Sequence, residues 1–327
     1  MDLNSVQYLT PQEIGCDQMN ESLLKENANR WVMFPIEYDV FWELYKEIEN
    51  NFWAAEDFRF SDDRDAVSQI HQDLQKCIVK LLMYHSSLDR SEAARPAVLT
   101  LDMLSEVQVP EMRAFYGFQV SYENIHSEVF GLMSLLFPTS GDKTTGKEKM
   151  EWLSSKFTHA ECFYLKVVLQ CISKHVFRCS FGIIRAYLEK ESLLPTFVAA
   201  MKMVEKDIGI HLKFASSVLH HLNLRLSRDV LLSVLEEALK LEVEFCKAVL
   251  PLGLLGISED QLNDYVKSSV NQCLLIAGQA DAYRVNADLA WMGKPVVEVK
   301  LAATKVKQSN PLPPQLTESA ISFDEDF

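Results

Sequence analysis

The residues of this chain that could do chemistry lie near its middle. Glu123 and His126 are three positions apart, a spacing that places both side chains on one face of an α-helix. Carboxylate and imidazole groups in this arrangement are suitable ligands for iron. Phe130 follows on the same stripe, seven positions after Glu123, and offers no oxygen. The pattern indicates a candidate metal site in a helical core.

A second motif of the same kind is incomplete. The run Asp-Ile-Gly-Ile-His at 207–211 has a histidine three positions after Ile208, where a complete Glu-x-x-His pair would have glutamate. Helical bundles that hold two metals in their core use two such pairs, and two other helices add one carboxylate each. The sequence therefore leaves Glu123, His126 and His211 as remnant ligands. They either bind one metal poorly or are held by hydrogen bonds in the core.

The elements that must position these residues are helices. The chain has 327 residues, of which 48% are hydrophobic, and only 11 Gly and 11 Pro. This composition favours long regular elements around a large core. Apolar residues recur at helical spacing and no strand-like alternation competes with them. Prolines at 110, 138, 195 and 251 divide the helical stretches, which are 111–137, 161–190, 196–222, 228–250 and 258–289. The sequence predicts an all-α bundle.

Composition also narrows the function and the domain plan. The net charge of −14 and the lack of a Lys/Arg run argue against nucleic-acid binding. Seven scattered cysteines without a Cys-x-x-Cys motif indicate reduced thiols in a cytoplasmic protein. No secretory signal or membrane span is predicted. We expect an extended arm over 1–30, a helical domain over 31–300 and a flexible tail over 301–327.

Several motifs together carry a family resemblance. They are Arg-Trp-Val-Met-Phe-Pro-Ile at 30–36, Phe-Trp-Ala-Ala-Glu at 52–56, Phe-Tyr-Gly-Phe-Gln at 115–119, Glu-Asn-Ile-His-Ser-Glu at 123–128 and Phe-Asp-Glu-Asp-Phe at 323–327. From about residue 30 to its end, the chain resembles the small subunit of class I ribonucleotide reductase of the eukaryotic type. The segment 284–293 is shortened relative to that family.

The resemblance implies a ferritin-like helical bundle. It further implies a complex that converts ribonucleotides to deoxyribonucleotides, in which a di-iron site generates a tyrosyl radical for a large catalytic subunit. Phe130 stands at the radical-tyrosine position. By the same resemblance, iron ligands are lost at Arg59, Lys174 and Ile208. We expect Arg59 and Lys174 to be buried and to pair with Glu123 in place of the metal.

The resemblance also implies a radical-transfer path, with Trp42, Asp207 and His126 at the tryptophan, aspartate and ligand-histidine positions. The tail tyrosine that passes the radical on is absent, because no tyrosine follows Tyr283. The path is therefore expected to be vestigial, and no residue is predicted to be catalytic.

These expectations favour a non-catalytic small-subunit paralogue that requires no cofactor. It would form a heterodimer with a metal-competent small subunit and dock to the large subunit through its tail. The predicted docking residues are two aromatic anchors and three acids, Phe323, Asp324, Glu325, Asp326 and Phe327. Two alternatives stay open. One is an active subunit with an unusual iron centre, and the other is a regulator that competes for the large subunit.

Overall fold

The computed structural model describes residues 7–9, 21–28, 30, 32–88, 96–137 and 144–285. Within these ranges the chain is a helical bundle, so the predicted all-α fold is confirmed. The helices are α1 (Asp39–Asn50), α2 (Arg64–Val67), α3 (Gln72–Leu88), α4 (Pro96–Glu106), α5 (Pro110–Ser134), α6 (Lys147–Thr158), α7 (Phe163–Lys174), α8 (Cys179–Lys190), α9 (Pro195–His221), α10 (Arg228–Val249), α11 (Leu252–Leu255) and α12 (Glu259–Ile276). Short 3₁₀ segments are Ala55–Asp57, Phe60–Asp63 and Val176–Arg178.

Helix boundaries follow local sequence signals. Pro110 and Pro195 occupy the first positions of α5 and α9, where a missing backbone N–H costs nothing. Ser227 caps α10 by accepting a hydrogen bond from a backbone amide in the first turn. Ser258 and Gln261 form a reciprocal capping box at the start of α12. These signals account for the agreement between the predicted and observed starts of the long helices.

The predicted helical stretch 161–190 is interrupted in the structure. α7 ends at Lys174, a 3₁₀ turn spans Val176–Arg178, and α8 begins at Cys179. No proline or glycine lies between Lys174 and Cys179, so the sequence contains no breaking signal there. The break places several charged and polar side chains next to the centre of the bundle.

The same stretch is the most apolar part of the described chain. Phe163–Lys190 is long and apolar enough to cross a membrane by length and composition, with a mean hydropathy of 1.3 over its best window. However, 83% of that window is buried inside the protein. Its apolar character is therefore explained by its place in the core.

The described part of the predicted N-terminal arm is attached to the bundle. Strand β1 (Gln7–Leu9) pairs in parallel with β2 (Leu224–Leu226), which lies between α9 and α10. Arg30 forms a two-pronged ion pair with Glu111 of α5, with N···O distances of 2.9 and 2.5 Å. The predicted tail over 301–327, including Phe323 to Phe327, lies outside the described residues. The predicted domain boundaries stay predictions.

A buried ion pair fixes the start of α8. Lys149 of α6 contacts Glu242 of α10 at 2.5 Å and donates a hydrogen bond to the Phe177 carbonyl at 3.1 Å. Glu242 also accepts a hydrogen bond from the backbone N–H of Ser180 at 3.1 Å. Burial lowers the pKa of Lys149, but Glu242 more than offsets this, so the pKa is raised overall. The pair links three helices at one point.

We predict that Lys149→Met destabilises the protein by about 3–5 kcal/mol, because Glu242 would stay buried without its counter-charge. The matched control is Lys156→Met, which breaks the exposed pair with Glu237, whose side chains are 36% and 43% exposed. We expect the control to cost at most about 1 kcal/mol. Urea unfolding of both variants measures the difference. Equal losses would contradict a special role for the buried pair.

Candidate functional site

The sequence-predicted ligands meet in the centre of the bundle. α5 contributes Glu123 and His126, α7 ends at Lys174, and α9 contributes Asp207 and His211. We call these five residues the central site. All of them are buried, with at most 6% of any residue exposed. α5 packs against α3 and α9, and α7 packs against α9, so four helices surround the site.

An ion pair occupies the middle of the central site. The Lys174 ammonium donates a hydrogen bond to Oε1 of Glu123 and lies 3.4 Å from Nδ1 of His211. Burial lowers the pKa of Lys174, and the Glu123 carboxylate opposes that shift. Burial and the charge of Lys174 also hold the pKa of His211 well below its usual value. His211 is thus a neutral imidazole that accepts from the ammonium through Nδ1.

Three further polar residues hold the Glu123 carboxylate in place. Thr100 Oγ1 and Gln119 Nε2 each donate to Glu123 Oε1 at 3.0 Å. Gln170 Nε2 donates to Thr100 Oγ1, also at 3.0 Å. All three residues are buried. This network was not predicted from the sequence. The only signal was that Gln119 lies four positions before Glu123 on an otherwise apolar helix face.

The second carboxylate of the site, Asp207, lies between an indole and an imidazole. Trp53 Nε1 donates to Asp207 Oδ2 at 2.8 Å, and His126 Nε2 lies 2.9 Å from the same oxygen. Because an ionised carboxylate only accepts, His126 carries a proton on Nε2. Burial lowers the pKa of His126, while Asp207 opposes that shift. The three side chains form a connected, fully buried chain.

Trp42 is not part of this series of hydrogen-bonded side chains, which corrects the sequence-based assignment. Trp42 is half-buried on α1 and packs against Phe34 and Tyr45, with ring centroids 5.6 and 5.4 Å away. Trp53, in contrast, is buried, with 5% of its surface exposed. It lies just before the 3₁₀ segment Ala55–Asp57, and its ring contacts Asp207. The family resemblance assigns the tryptophan position to Trp42, whereas the structure brings Trp53 of the connecting segment to Asp207.

Arg59 also lies elsewhere than predicted. It is exposed, directly before the 3₁₀ segment Phe60–Asp63, and it forms no contact with Glu123. The next residues hold the segment against the bundle, because Phe60 is buried and the buried Asp63 accepts hydrogen bonds from the backbone amides of Thr196 and Phe197 at the start of α9. The prediction that Arg59 is a buried counter-charge is therefore wrong.

The side chain that α3 contributes is His85. Its ring stacks on Phe130 with centroids 4.8 Å apart and an interplanar angle of 20°, and it also contacts Phe181. Neither ring nitrogen has a hydrogen-bond partner among the described residues. Burial, together with the charges of Arg178 and Lys149, holds the pKa of His85 well below its usual value. Bundles that hold two metals have a carboxylate from such a helix, and here an uncharged imidazole replaces it.

The second cation near the site is Arg178 rather than Arg59. Its guanidinium carbon lies 5.7 Å from the centroid of the Phe130 ring, within cation–π distance. Burial lowers the pKa of Arg178 to about 10, so the group is charged at neutral pH. Arg178 ends the 3₁₀ turn between α7 and α8, so the unexpected helix break is what brings it here.

The residues present do not fit a di-iron group. Such a group needs carboxylates from four helices, but Lys174, Ile208 and His85 provide none. Glu123 is paired with an ammonium, and Asp207 is bonded to Trp53 and His126. Among the residues that the structure describes, no three His, Cys, Asp or Glu side chains are grouped to hold a metal ion.

A helical bundle with paired carboxylate–histidine positions on its inner faces is characteristic of the ferritin-like class of proteins. The sequence matches the family described as ribonucleotide reductase, small chain, over residues 30–288. The chain therefore belongs to this family, in its eukaryotic class I form.

Named relatives agree with this assignment. The ribonucleoside-diphosphate reductase small chain of Neurospora crassa is 30% identical over 282 residues, which cover 82% of this chain and 68% of that protein. A ribonucleoside-diphosphate reductase small chain of Arabidopsis thaliana is 30% identical over 285 residues, which cover 83% and 84%. The fold is similar to that of the ribonucleotide reductase Rnr4 homodimer from Saccharomyces cerevisiae. The TM-score is 0.73 at 24% identity, over 82% of this chain and 88% of that one.

We predict that Lys174→Met destabilises the protein by about 3–5 kcal/mol, because Glu123 would be left buried without a counter-charge. In the double variant Lys174→Met/Glu123→Gln, we expect most of this loss to be recovered. A double-mutant cycle from chemical denaturation measures the coupling. Additive effects of the two substitutions would show that the ion pair does not support the core.

We predict that His85→Leu reduces the loss of stability in acid. The folded protein keeps His85 neutral because its pKa is lowered, whereas the unfolded chain takes up a proton as the pH falls below about 6.5. Wild-type stability should therefore fall between pH 6.5 and 5, and the variant should lose about 1–2 kcal/mol less. Urea unfolding at pH 7.5 and 5.0 measures this. The control is His71→Leu, an exposed imidazole, and an equal change in both variants would contradict the prediction.

Proposed function

We propose that this chain is a non-catalytic small-subunit paralogue of ribonucleoside-diphosphate reductase. It supports deoxyribonucleotide synthesis by pairing with a metal-competent small subunit and docking to the large subunit. The observation that carries this proposal is the buried Lys174–Glu123 ion pair in the central site. A protein cation occupies the position where a metal would need negative charge.

Simple electrostatics supports the loss of metal binding. A divalent ion about 4 Å from one unit charge, at an effective dielectric constant of 20, is repelled by roughly 8 kcal/mol. The Lys174 ammonium thus cancels the attraction that Glu123 would offer. Arg178 adds a further positive charge on the Phe130 side of the site. We therefore expect no iron cofactor.

The radical position supports the same conclusion. Phe130 has no O–H group that could be oxidised to a tyrosyl radical, and its ring is packed between His85 and Phe181. The Trp53–Asp207–His126 chain is retained. In the proposed paralogue it is a structural element that ties the first connecting segment to α5 and α9.

The proposed partners follow from the family and from the sequence of the tail. Small chains of this family form dimers and pair with a large subunit, which makes a mixed small-subunit dimer a reasonable assembly. The proposed docking segment, Phe323 to Phe327, combines two aromatic anchors with three acids. Six described cysteines are free thiols, which is consistent with a cytoplasmic location.

One observation favours an alternative. The intact Trp53–Asp207–His126 chain would be useful in an active subunit with an unusual metal centre. Such a subunit would have to bind metal stably and give an oxidised signal by electron paramagnetic resonance. A competing regulator, in contrast, would bind the large subunit and lower the activity of a complete pair.

The test is reconstitution with a metal-competent small subunit and the large subunit of the same organism. We expect the chain alone to contain almost no iron after anaerobic loading and to give no radical signal. When mixed, it should form a heterodimer and raise reductase activity. The control is a chain that ends at residue 322, which should still form the heterodimer but bind the large subunit less tightly.

Three results would contradict the proposal. Stoichiometric iron with an oxidised signal in the chain alone would favour the active-subunit alternative. Lowered activity on addition of the full chain, with recovery when the chain ends at residue 322, would identify a competing regulator. Homodimers that bind neither other subunit would rule out both pairing functions.

A further inference from the structure

A small cavity adjoins the central site on its Lys174 side. It has a volume of about 60 Å³ and lies where the break between α7 and α8 faces α9 and α12. Lys174 and Ile208, two of the positions without a carboxylate, line its inner end. Arg185 and Glu205, both partly exposed, line it as well, so the cavity connects the centre of the bundle with its surface.

The charges around this cavity do not balance. The lining contains three positively charged side chains, Lys174, Arg178 and Arg185, and one acidic side chain, Glu205. Lys174 is paired with Glu123, and Arg185 contacts Glu205 at 3.1 Å. Arg178 is the remaining cation of the lining, and its guanidinium has no hydrogen-bond or ion-pair partner in the described part of the chain. One positive charge therefore lacks a counter-ion.

Uncharged donors line the same cavity. His175 is 8% exposed, and its Nε2 has no hydrogen-bond partner within the described ranges. Ser269 Oγ accepts from the Cys179 thiol, which leaves its own proton free to donate. In the tautomer with its proton on Nε2, the neutral His175 ring can donate a hydrogen bond to a ligand in the cavity.

We propose that this cavity binds a small inorganic oxyanion of phosphate size, with Arg178 as its principal ligand. A planar guanidinium matches the paired oxygens of such an anion. The cavity has room for roughly four water molecules at about 15 Å³ each, which suits a tetrahedral oxyanion but not a nucleotide. His175 and Ser269 supply further donors, and Arg185 offsets the charge of Glu205.

This assignment does not depend on the proposed function of the chain. It follows from the lining of the cavity, where the Arg178 guanidinium has no hydrogen-bond or ion-pair partner among the described residues. A charged donor in this position can bind an anion. The reductase activity of any complex plays no part in the test.

The test is isothermal titration calorimetry of the full chain with inorganic phosphate, in metal-free buffer at constant ionic strength. We expect one saturable site. Arg178→Met should weaken binding roughly tenfold to a hundredfold, because a charge-assisted contact is removed. Arg178→Lys should retain part of the affinity. The matched control is Arg64→Met, which removes an exposed guanidinium from α2 and should leave the affinity unchanged.

A second variant protects the test against misfolding of Arg178→Met. Gly182 lines the cavity, and a Cβ there would lie 3.2 Å from the Tyr265 hydroxyl. Gly182→Ala should therefore narrow the cavity and weaken phosphate binding without changing any charge. Absence of saturable heat in the wild-type chain would overturn the proposal. Equal affinities in wild type, Arg178→Met and Gly182→Ala would do so too, as would equal losses in Arg178→Met and Arg64→Met.

Discussion

The Glu123 carboxylate is buried at the centre of four helices, and a buried carboxylate requires a compensating positive charge. Lys174 supplies that charge from the last residue of α7. Thr100 and Gln119 then bond the same carboxylate oxygen, which fixes α4 and α5 relative to α7. His211 faces the ammonium as a neutral acceptor. The interior of this protein is thus organised around an internal ion pair.

This constraint links the local structure to the proposed function. Lys174 ends its helix, the chain turns through Val176–Arg178, and Arg178 is brought to the Phe130 ring. Arg178 therefore places a second cation next to the central site. The bundle holds its shape with protein groups, which is what a partner subunit needs when its role is to position other chains. Arg178 also lines the cavity beside α8.

Much of this architecture could be predicted from the sequence. The prolines and the spacing of apolar residues indicated the long helices, and the Glu-x-x-His spacing located Glu123 and His126 on one face. Two predictions were wrong for physical reasons. The family resemblance assigns Trp42 to the tryptophan position, but Trp53 reaches Asp207 from a connecting segment, and no spacing along the chain indicates that contact. Arg59 is exposed, although Phe60 and Asp63 after it are buried. The break that positions Arg178 has no local sequence signal, and the contacts on either side of it, Lys174 with Glu123 and Ser180 with Glu242, join distant parts of the chain.

In the proposed function, the internal cation Lys174 takes the place of a metal ion. This claim is tested most directly by restoring the carboxylates in the variant His85→Asp/Lys174→Glu/Ile208→Glu and measuring iron per chain by mass spectrometry after anaerobic loading and desalting. We predict almost no iron in the wild-type chain and about two irons per chain in the folded variant. Stoichiometric iron in the wild-type chain, or none in a correctly folded variant, would contradict the claim.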